Sequence, residues 1–381
     1  GGDAMRQIDI LLPHKEILTE KNRGAIASVV SNLILNSAST AGFEVYGVPI
    51  SSPLQGVSYT PLRFYHQWLY GSNLGLAHAY LHHINAHNKK PDLIEVHNRA
   101  QVAALIARKR PDLKVILYLH NDPRDMKGSK TVDERTYLLS HLAAIACVSE
   151  FVKTCFCKGL DKLVCDPDRL FVIPNGVNRR LTAQPEKKKQ ILIAGRMVPE
   201  KGILEACHAV ATILPDAPDW SLHVIGGRRF ADEKPTNYEN KIFEVVASLG
   251  ENAVHHGFCP YEQVRTAQED AAICIVPSLW EEPAGLTVIE ALSAGAALVT
   301  TNRGGIPETA SGRAMIVEIS PDTDSVEIIS AFAGNLRKLL SDDKLLRKFQ
   351  MKAWKDYPFS AQEMAKKADN MRRFLLNNDA K

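Results

Sequence analysis

The chain has 381 residues, 45% of them hydrophobic and 23% charged, with a formal net charge of +3. This composition is typical of a soluble globular protein and excludes a disordered chain, and a prior of roughly 150 residues per domain predicts two large domains. No apolar run approaches the roughly 20 residues needed to cross a bilayer, and the first residues lack the order of a signal peptide. We therefore expect a cytoplasmic protein, and we expect no nucleic-acid partner.

Short apolar, β-branched runs alternate with helical stretches through the first half of the chain. In order, the runs are IDILL, FEVYGV, DLIEVH, KVILYLH, AAIACVS and LFVIP. Continuous apolar strands separated by helices are typical of a parallel sheet that is buried on both faces. The pattern therefore predicts a Rossmann-like domain over residues 5–180.

The same alternation begins again after a polar, charged segment at residues 178–189, which we interpret as a linker. The second set of runs is QILIAG, WSLHVIGG, NAVHHGF, AAICIVPS, AALVTT and AMIVEI. It predicts a second Rossmann-like domain over residues 186–355, and a helical pattern over 359–376 predicts a last helix that packs back on the first domain. The fold class is α/β with two doubly wound domains, whose ligands bind where the carboxyl ends of their strands face one another.

Charge is distributed unevenly between the two halves. Residues 1–185 contain 22 Lys and Arg against 16 Asp and Glu, a net charge of +6, whereas residues 186–381 contain 24 against 27, a net charge of −3. A basic half can face an anionic membrane or a phosphorylated acceptor, and a solvated basic surface is the alternative.

Two glutamates, Glu282 and Glu290, lie eight positions apart in the stretch PSLWEEPAGLTVIEALSAG. The stretch predicts a turn followed by a helix, whose free N–H groups and positive dipole end bind anions. A nucleotide-sugar has the matching order of groups. We expect Glu282 to accept hydrogen bonds from the sugar, the helix end to hold the phosphates and Glu290 to accept from the ribose. Glu290 stands in an apolar run, where an unpaired carboxylate is costly; two solvated glutamates are the alternative.

The stretch LIAGRMVPEKG predicts a strand that runs into a glycine-containing loop before a helix. Arg196 and Lys201 project from this loop beside Gly195, and two cations next to a helix N-terminus can neutralise a leaving diphosphate. A surface arginine and lysine near a turn are the alternative. A second glycine loop after a strand, GGRRF, makes Gly227 and the two arginines that follow it further candidates for the same site.

Four stretches of the second half, GRMVPEKG, HGF, PSLWEEPAGLTVIEALSAG and NRGGIPE, together resemble the C-terminal domain of glycosyltransferase family four in order and spacing. In the first half, LYLHND, ACVSE and VIPNGV are similar to the same family. The resemblance implies the GT-B fold, in which two Rossmann-like domains face one another across a cleft, and an E-x(7)-E motif formed by Glu282 and Glu290. It also implies a retaining hexosyltransferase whose donor is a UDP-, GDP- or ADP-sugar, with no other cofactor.

The resemblance also implies roles for individual residues. His120 is expected near the donor sugar and the reacting carbon, and the backbone near Phe258 is expected to hold the nucleotide base. Ala284 stands where the family often has phenylalanine, and Gly24 alone represents an N-terminal glycine loop that is often a Gly-Gly pair. The predicted catalytic residues are His120, Arg196, Lys201 and Glu282. The predicted donor-binding residues are Gly24, Gly195, Arg196, Lys201, Gly227, Phe258, Glu282, Ala284, Gly285, Leu286 and Glu290.

Many relatives in this family build bacterial envelope glycans such as lipopolysaccharide core. The expected partners are therefore a nucleotide-sugar donor, a glycan or glycolipid acceptor and, through the basic first half, the anionic inner face of the cell membrane. Because Arg196 and Lys201 supply positive charge and no Asp-x-Asp cluster is present, we expect turnover without a divalent metal.

Other interpretations stay open. Two carboxylates also serve a glycosidase, at separations of roughly 5 to 9.5 Å, and the same fold suits a nucleotide-sugar epimerase or a non-catalytic nucleotide-sugar-binding protein. A nicotinamide dehydrogenase also has two α/β domains, but no G-x-G-x-x-G follows any strand here. Metal chelation by histidines at helical i,i+4 spacing or by closely spaced cysteines is a further alternative; the residues are His78, His82, His83, His87, Cys155, Cys157 and Cys165.

Overall fold

The computed structural model describes residues 6–21, 23–63, 67–227 and 234–378. The chain divides into two compact units. The first comprises Gly1–Gly176 together with Ala361–Lys381, and the second comprises Val177–Ser360. The division falls after Gly176, where the first predicted domain ran to residue 180, and the second unit ends at Ser360, where the predicted domain ended at residue 355.

The first unit contains a parallel sheet of seven strands. They are β1 (Gln7–Leu11), β2 (Gly42–Gly47), β3 (Tyr59–Pro61), β4 (Leu93–His97), β5 (Val115–Leu119), β6 (Ala144–Cys147) and β7 (Leu170–Val172). Their order across the sheet is β3-β2-β1-β4-β5-β6-β7, and every neighbouring pair is parallel. Six of them lie in the predicted apolar runs. The sequence did not predict β3, because it has only three residues and none of them is buried.

Helices connect these strands. They are α1 (Ala25–Leu35), α2 (Gln67–Ala86), α3 (Ala100–Lys109), α4 (Val132–His141) and α5 (Glu150–Cys157). Gly71, with a φ of 75°, interrupts the helical geometry of α2. A capping box begins α4: the Thr131 side chain accepts from the N–H of Glu134, and the Glu134 side chain accepts from the N–H of Thr131. This reciprocal pair satisfies two N–H groups that a helix start otherwise leaves free.

The second unit contains a parallel sheet of six strands. They are β8 (Lys188–Ala194), β9 (Ser221–Ile225), β10 (Ala253–His255), β11 (Ala271–Val276), β12 (Ala297–Thr301) and β13 (Met315–Val317), and all six lie in predicted runs. Their order is β10-β9-β8-β11-β12-β13, again with every pair parallel. The strand order reverses between β8 and β11. The carboxyl ends of these two strands therefore form the switch point at which doubly wound folds bind ligands.

The second sheet is buried on both faces. Along β8, Ile191 and Ile193 pack into one hydrophobic cluster and Leu192 packs into another, as side chains that alternate between the faces of a strand must. The helices of this unit are α6 (Ile203–Ile213), α7 (Asn237–Ser248), α8 (Tyr261–Asp270), α9 (Leu286–Ser293), α10 (Ile306–Ala310), α11 (Ser325–Ser341) and α12 (Asp343–Lys355).

Residues 178–189 were predicted to be a linker, and that prediction was wrong. The Arg180 guanidinium pairs with Glu262 and with Glu269 of α8, each at 2.7 Å. The Lys187 ammonium donates to three backbone carbonyls near the last turns of α8 and α9, where a cation also interacts favourably with the helix dipole. The charges that made this segment look solvated in the sequence are therefore the groups that pack it on the second unit.

The last helix, α13 (Ala361–Asn377), belongs to the first unit. The Arg372 guanidinium donates to both carboxylate oxygens of Glu95, at 2.6 and 2.9 Å, and to Asp369 at 3.0 Å. Because Glu95 lies inside β4 and is fully buried, this ion network attaches the C-terminal helix to the centre of the first sheet. Neither α13 nor any other helix in the described part of the chain is long and apolar enough to cross a membrane.

Candidate active site

The loops that follow β8 and β11 are hydrogen-bonded to one another at the carboxyl edge of the second sheet. The N–H of Leu279 donates to the carbonyl of Glu200 at 2.8 Å. Gly202 has a φ of 68°, and a Cβ at this position would overlap a carbonyl oxygen of the loop after β11. Glycine alone permits this conformation and this approach. The stretch PEKG therefore brings Lys201 next to the loop that carries Glu282.

Lys201 and Glu282, which the sequence assigned to different parts of the donor, form an ion pair. Lys201 Nζ lies 2.6 Å from Glu282 Oε1. The same oxygen accepts hydrogen bonds from Ser278 Oγ at 2.7 Å and from Trp280 Nε1 at 2.9 Å. Glu282 is only 8% exposed, and a buried carboxylate is tolerated when charged and polar donors satisfy it. The three bonds fix the direction of the carboxylate and hold Lys201 against it.

The NRGG stretch after β12 supports the backbone of the same glutamate. The N–H of Gly305 donates to the carbonyl of Glu282 at 2.7 Å. Gly304 has a φ of 56°, and a Cβ there would overlap the backbone of Glu282. Arg303 is buried and pairs with Glu281 at 3.2 Å. Loops from three neighbouring strands thus converge on Glu282.

Glu290 lies on the second turn of α9, the helix that begins at Leu286. Gly285 precedes the helix with a φ of 67°, and Ala284 is half-buried in the same turn. Glu290 is itself half-buried. Burial raises the pKa of Glu290 to about 7, and the positive charge of Arg265 in α8 opposes that rise. Glu290 therefore changes its charge close to neutral pH.

Gly195 and Arg196 lie in the loop after β8. The N–H of Gly195 donates to the carbonyl of Ile225, the last residue of β9, at 3.0 Å. Arg196 is exposed, and its side chain makes no hydrogen bond or ion pair with the described residues. Of the two cations predicted for the diphosphate, Lys201 is held by a carboxylate and Arg196 is available to an anionic ligand.

The loops after β9 and β10 are joined by a hydrogen bond of 2.9 Å from the N–H of Gly226 to the carbonyl of the residue before Phe258. Phe258, predicted to mark the base-binding loop, is 44% exposed. Gly227 follows at the end of the described segment, and Arg228 and Arg229, which were candidates for the diphosphate, lie outside the described residues. The structure thus brings the predicted loops after β8, β9 and β10 to one edge of the sheet.

In the first unit, His120 directly follows β5 and lies beside a histidine that the sequence did not single out. His97 Nδ1 and His120 Nε2 are 2.8 Å apart. The Tyr118 ring stacks with His97 at a centroid distance of 4.6 Å and with His120 at 5.1 Å. Burial, with a smaller contribution from His97, holds the pKa of His120 well below its usual range. One feature of the sequence could have pointed to His97. The runs DLIEVH and KVILYLH, which form adjacent strands, both end in histidine.

Asn98 joins the ends of β4 and β5. It has a φ of 57°, a left-handed conformation in which asparagine is several-fold enriched among residues other than glycine. Its Oδ1 accepts from the N–H of His120 at 3.0 Å, and its Nδ2 donates to Asn121 Oδ1 at 2.8 Å. Nothing in the sequence indicated this bridge, which holds the backbone N–H of His120 and the side chain of Asn121.

Gly24 immediately precedes α1 in the first unit. The Glu16 carboxylate lies against it and accepts a hydrogen bond from the N–H of Ala27, in the first turn of α1, at 3.1 Å. A carboxylate therefore occupies the helix end at which the predicted donor contact of Gly24 would be made. A phosphate at this position would have to displace Glu16.

In the described part of the chain, no three His, Cys, Asp or Glu side chains are grouped as a metal site. The histidines of α2 have other contacts. His87 Nδ1 lies 2.8 Å from the carbonyl oxygen of His83, and the His78 ring packs on Tyr70 at a centroid distance of 4.4 Å.

Comparison with known proteins relates both halves of the chain to glycosyltransferases. Residues 177–356 match the family described as Glycosyl transferases group 1, and residues 39–181 match Glycosyltransferase Family 4. The Bacillus subtilis (strain 168) protein YtcC is 28% identical over 284 residues, which are 69% of this chain and 67% of YtcC. The lipopolysaccharide 1,2-N-acetylglucosaminetransferase of Salmonella typhimurium is 23% identical over 73% of each chain. The solved catalytic domain of starch synthase IV from Arabidopsis thaliana, bound to ADP and acarbose, is similar with a TM-score of 0.74 at 12% identity, covering 99% of this chain and 100% of that chain.

Proposed function

Because this chain is a glycosyltransferase with the GT-B fold and resembles glycosyltransferase family four, we propose that it moves a hexose from a nucleotide-diphosphate sugar to an acceptor hydroxyl with retention of the anomeric configuration. The observation that carries the proposal is the placement of Lys201, Glu282 and Glu290 at the switch point of the second sheet. Cationic and carboxylate groups in this order suit a ligand with a diphosphate between two hydroxyl-rich ends.

Glu282 is assigned to the transferred sugar. Its hydrogen bonds from Lys201, Ser278 and Trp280 all reach Oε1, so the lone pairs of Oε2 are assigned to sugar hydroxyls. Ala284 lies half-buried in the following turn, where its small side chain leaves room beside the sugar. These two residues form the part of the site that distinguishes one hexose from another.

Glu290 is assigned to the ribose. Two adjacent ribose hydroxyls can both donate to one ionised carboxylate, and a carboxylate whose pKa is raised to about 7 by burial gains this charged form when such donors arrive. The backbone of the loop at Phe258 is assigned to the base.

Arg196 and Lys201 are assigned to the diphosphate. The bond between the sugar carbon and the leaving phosphate oxygen breaks, and the acceptor oxygen forms its new bond on the same face of the sugar. The acceptor proton passes to the leaving phosphate, so no separate enzyme base is required. An ammonium has three N–H donors, which lets Lys201 keep its bond to Glu282 while it stabilises the negative charge that develops on the phosphate. With two cations supplying this charge, turnover requires no divalent metal.

The proposed acceptor is a bacterial envelope glycan or glycolipid, such as lipopolysaccharide. The Salmonella relative, by its name, transfers a sugar to lipopolysaccharide. The net charge of +6 on residues 1–185 suits an anionic, lipid-linked acceptor. His120 is assigned to a hydroxyl oxygen of the substrate.

The function is tested by a thermal-shift screen of UDP-, GDP- and ADP-sugars, followed by transfer assays with the stabilising donor in the presence of a chelator. We expect one donor class to raise the Tm and turnover to persist with chelator. Lys201→Ala should lower kcat by about 100- to 1000-fold, the scale of removing one preorganised charge-stabilising donor. Lys241→Ala, which removes an exposed lysine of α7, should leave kcat unchanged.

Other outcomes would identify other functions. Cleavage of simple glycosides without any nucleotide would indicate a glycosidase, and product formed from the donor without acceptor would indicate an epimerase or hydrolase. Donor binding with no turnover would indicate a binding protein. Activity that is lost with chelator and restored by manganese would contradict the metal-free mechanism, and a loss of less than fivefold in Lys201→Ala would mean that Lys201 does not stabilise the leaving phosphate.

A further inference from the structure

His97 and His120 share one hydrogen bond, and the groups around the two rings determine which ring donates it. Both rings lie in the first unit, 2.8 Å apart through His97 Nδ1 and His120 Nε2. Burial lowers the pKa of His97 to about 3 and holds that of His120 well below its usual range, so both rings are neutral at physiological pH. A neutral imidazole has one N–H and one bare nitrogen. The contact is therefore one N–H···N hydrogen bond, and either ring is formally able to donate it.

The far side of His97 distinguishes the two arrangements. His97 is fully buried, and its Nε2 has no hydrogen-bond partner among the described residues. If His120 donated, His97 would carry its own proton on Nε2, which would be a buried N–H with no acceptor. If His97 donates, Nε2 is a bare nitrogen instead. Orphaned buried N–H groups are rarer in proteins than under-satisfied acceptors, so the second arrangement is the favoured one.

Electrostatics keep the His97 ring neutral, as a single N–H···N hydrogen bond requires. Arg372 is the charged group that acts on His97, and its positive charge contributes to the low pKa of that ring. This positive charge disfavours a second proton on the ring, so His97 stays neutral and holds a single N–H. The Arg372 guanidinium is held in place by Glu95 and Asp369, so this field is a fixed part of the fold.

We propose that His97 is a positioning residue that keeps His120 in the tautomer with its proton on Nδ1, so that His120 offers a hydrogen-bond donor and not a base to the substrate. His97 donates to His120 Nε2, and Asn98 fixes the His120 backbone through the hydrogen bond from its N–H. His120 Nδ1 makes no hydrogen bond with the described residues and is left for a substrate oxygen. The catalytic consequence rests on the proposed function, whereas the tautomer does not.

The tautomer is measured directly by long-range ¹H–¹⁵N spectra of the intact protein labelled at its 13 histidines. These spectra distinguish a protonated ring nitrogen from a bare one, and the His120 signals are assigned as those lost in His120→Gln. We expect the His120 proton on Nδ1 and the His97 proton on its own Nδ1. A proton on His120 Nε2 would overturn the proposal, whatever reaction the enzyme catalyses.

Kinetics test whether this arrangement matters for transfer. His97→Phe keeps an aromatic ring in the stack with Tyr118 but removes the donor, and we expect kcat to fall about tenfold, the upper range for loss of one hydrogen bond. The KM for the donor should change little, because the diphosphate and ribose contacts are assigned to the second unit. His97→Asn, whose amide N–H occupies nearly the place of Nδ1–H, should recover most of kcat.

Tyr118→Phe is the matched control. It removes a buried hydroxyl with no partner among the described residues from the same ring stack, and it should leave kcat unchanged. Loss of kcat in this control equal to that in His97→Phe would mean that the stack is structural only and would overturn the positioning role. Unchanged kcat in His97→Phe, with kcat lost in His120→Ala, would also overturn it while leaving the proposed function intact.

Discussion

Glu282 and Glu290 are held by different neighbours, and this difference predicts different consequences of mutation. Glu282 is tied to Lys201, Ser278 and Trp280 through one oxygen, whereas Glu290 lies half-buried on α9 near Arg265. If Glu290 binds the ribose, its partner is present in the bare nucleoside diphosphate. If Glu282 binds the sugar, its partner is present only in the intact donor.

Glu290→Ala should therefore weaken binding of the bare nucleoside diphosphate by about 1.5 to 3 kcal/mol, the range for a hydrogen bond to a charged group. Glu282→Gln should not weaken it, because Glu282 is assigned to the transferred sugar, which the bare diphosphate lacks, and Lys201 remains available to the phosphates. The same Glu282 variant should lower turnover and the preference among donor sugars. Titration calorimetry of both variants with diphosphate and with intact donor makes the comparison. Equal weakening of the bare diphosphate in both variants would show that the sugar and ribose assignments are wrong.

Glu290 also gives nucleotide affinity a dependence on pH. Its pKa is raised to about 7 in the free protein by burial, and ribose hydroxyls that donate to the ionised form lower that pKa in the complex. Below pH 7 binding must therefore release a proton, so affinity rises with pH, by at most about tenfold per unit. Above about pH 7 the carboxylate is already ionised, and its contribution to the pH dependence ends.

Glu290→Gln is the control for this pH dependence, because the terminal phosphate of the ligand also titrates, with a pKa of about 6. The variant retains the titration of the ligand and loses that of the protein. Calorimetry at about pH 6, 7 and 8, in buffers of different ionisation enthalpy, counts the protons released. The same pH dependence in both proteins would contradict an ionised Glu290 in the complex.

The sequence predicted Glu282, Glu290 and Lys201 as site residues, but it did not predict that Lys201 and Glu282 form an ion pair. A carboxylate within an apolar run and a lysine in a glycine loop are local signals. The contact between Lys201 and Glu282 joins residues 81 positions apart, and it arises only because β8 and β11 are neighbours in the sheet. For the same reason the sequence analysis did not single out His97, which meets His120 only because β4 and β5 are neighbours in the sheet.

The helix α13 is attached to the first unit by a buried ion network. We expect this network to contribute to the free energy of unfolding of that unit. Arg372 is almost fully buried between Glu95 and Asp369. Arg372→Met should lower the free energy of unfolding of this unit by about 3 to 5 kcal/mol, because it leaves the Glu95 carboxylate buried without a cation. Urea denaturation followed by circular dichroism measures the change.

Arg373→Met is the matched control, since the next residue of the same helix is exposed and should change stability by about 0.5 kcal/mol or less. A double variant, Glu95→Leu with Arg372→Met, should recover much of the loss, because apolar replacement of a whole buried pair is often neutral. Equal effects of the two single arginine variants would show that the network does not hold α13.

Strands were predictable from the sequence where an apolar run continued through the whole element. The apolar runs predicted β4 and β5, whose ten residues are all buried. Composition misled at residues 178–189, because a charged segment reads as solvated even when the opposite charges lie on a helix more than 80 positions away, as Glu262 and Glu269 do for Arg180. No local signal distinguishes a solvated arginine from one that is paired at such a distance.

The charges of the whole chain are distributed by unit. The first unit, Gly1–Gly176 with Ala361–Lys381, carries 25 Lys and Arg against 19 Asp and Glu, a net charge of +6, and the second unit carries 21 against 24, a net charge of −3. On the first unit, Arg108 and Lys109 at the end of α3 are exposed and line an open groove with the apolar Leu105 and Tyr137 and with two acidic residues of α4, Asp133 and Glu134. The net charge of +6 on this unit, with exposed basic side chains beside apolar ones, favours contact with an anionic membrane surface.

We therefore predict that the protein sediments with anionic vesicles at low salt and is released at high salt, because screening shortens the range of the attraction. The double variant Arg108→Glu with Lys109→Glu should abolish most of this binding, since each basic residue near the surface contributes about 1 kcal/mol. Arg337→Glu with Lys338→Glu, an equally exposed Arg-Lys pair on α11 of the second unit, makes the same change in net charge and should reduce binding much less. Equal loss of vesicle binding in both double variants would mean that binding depends on the net charge of the protein and not on the position of Arg108 and Lys109. Equal sedimentation with neutral vesicles, or none at any salt, would contradict a membrane contact of the first unit.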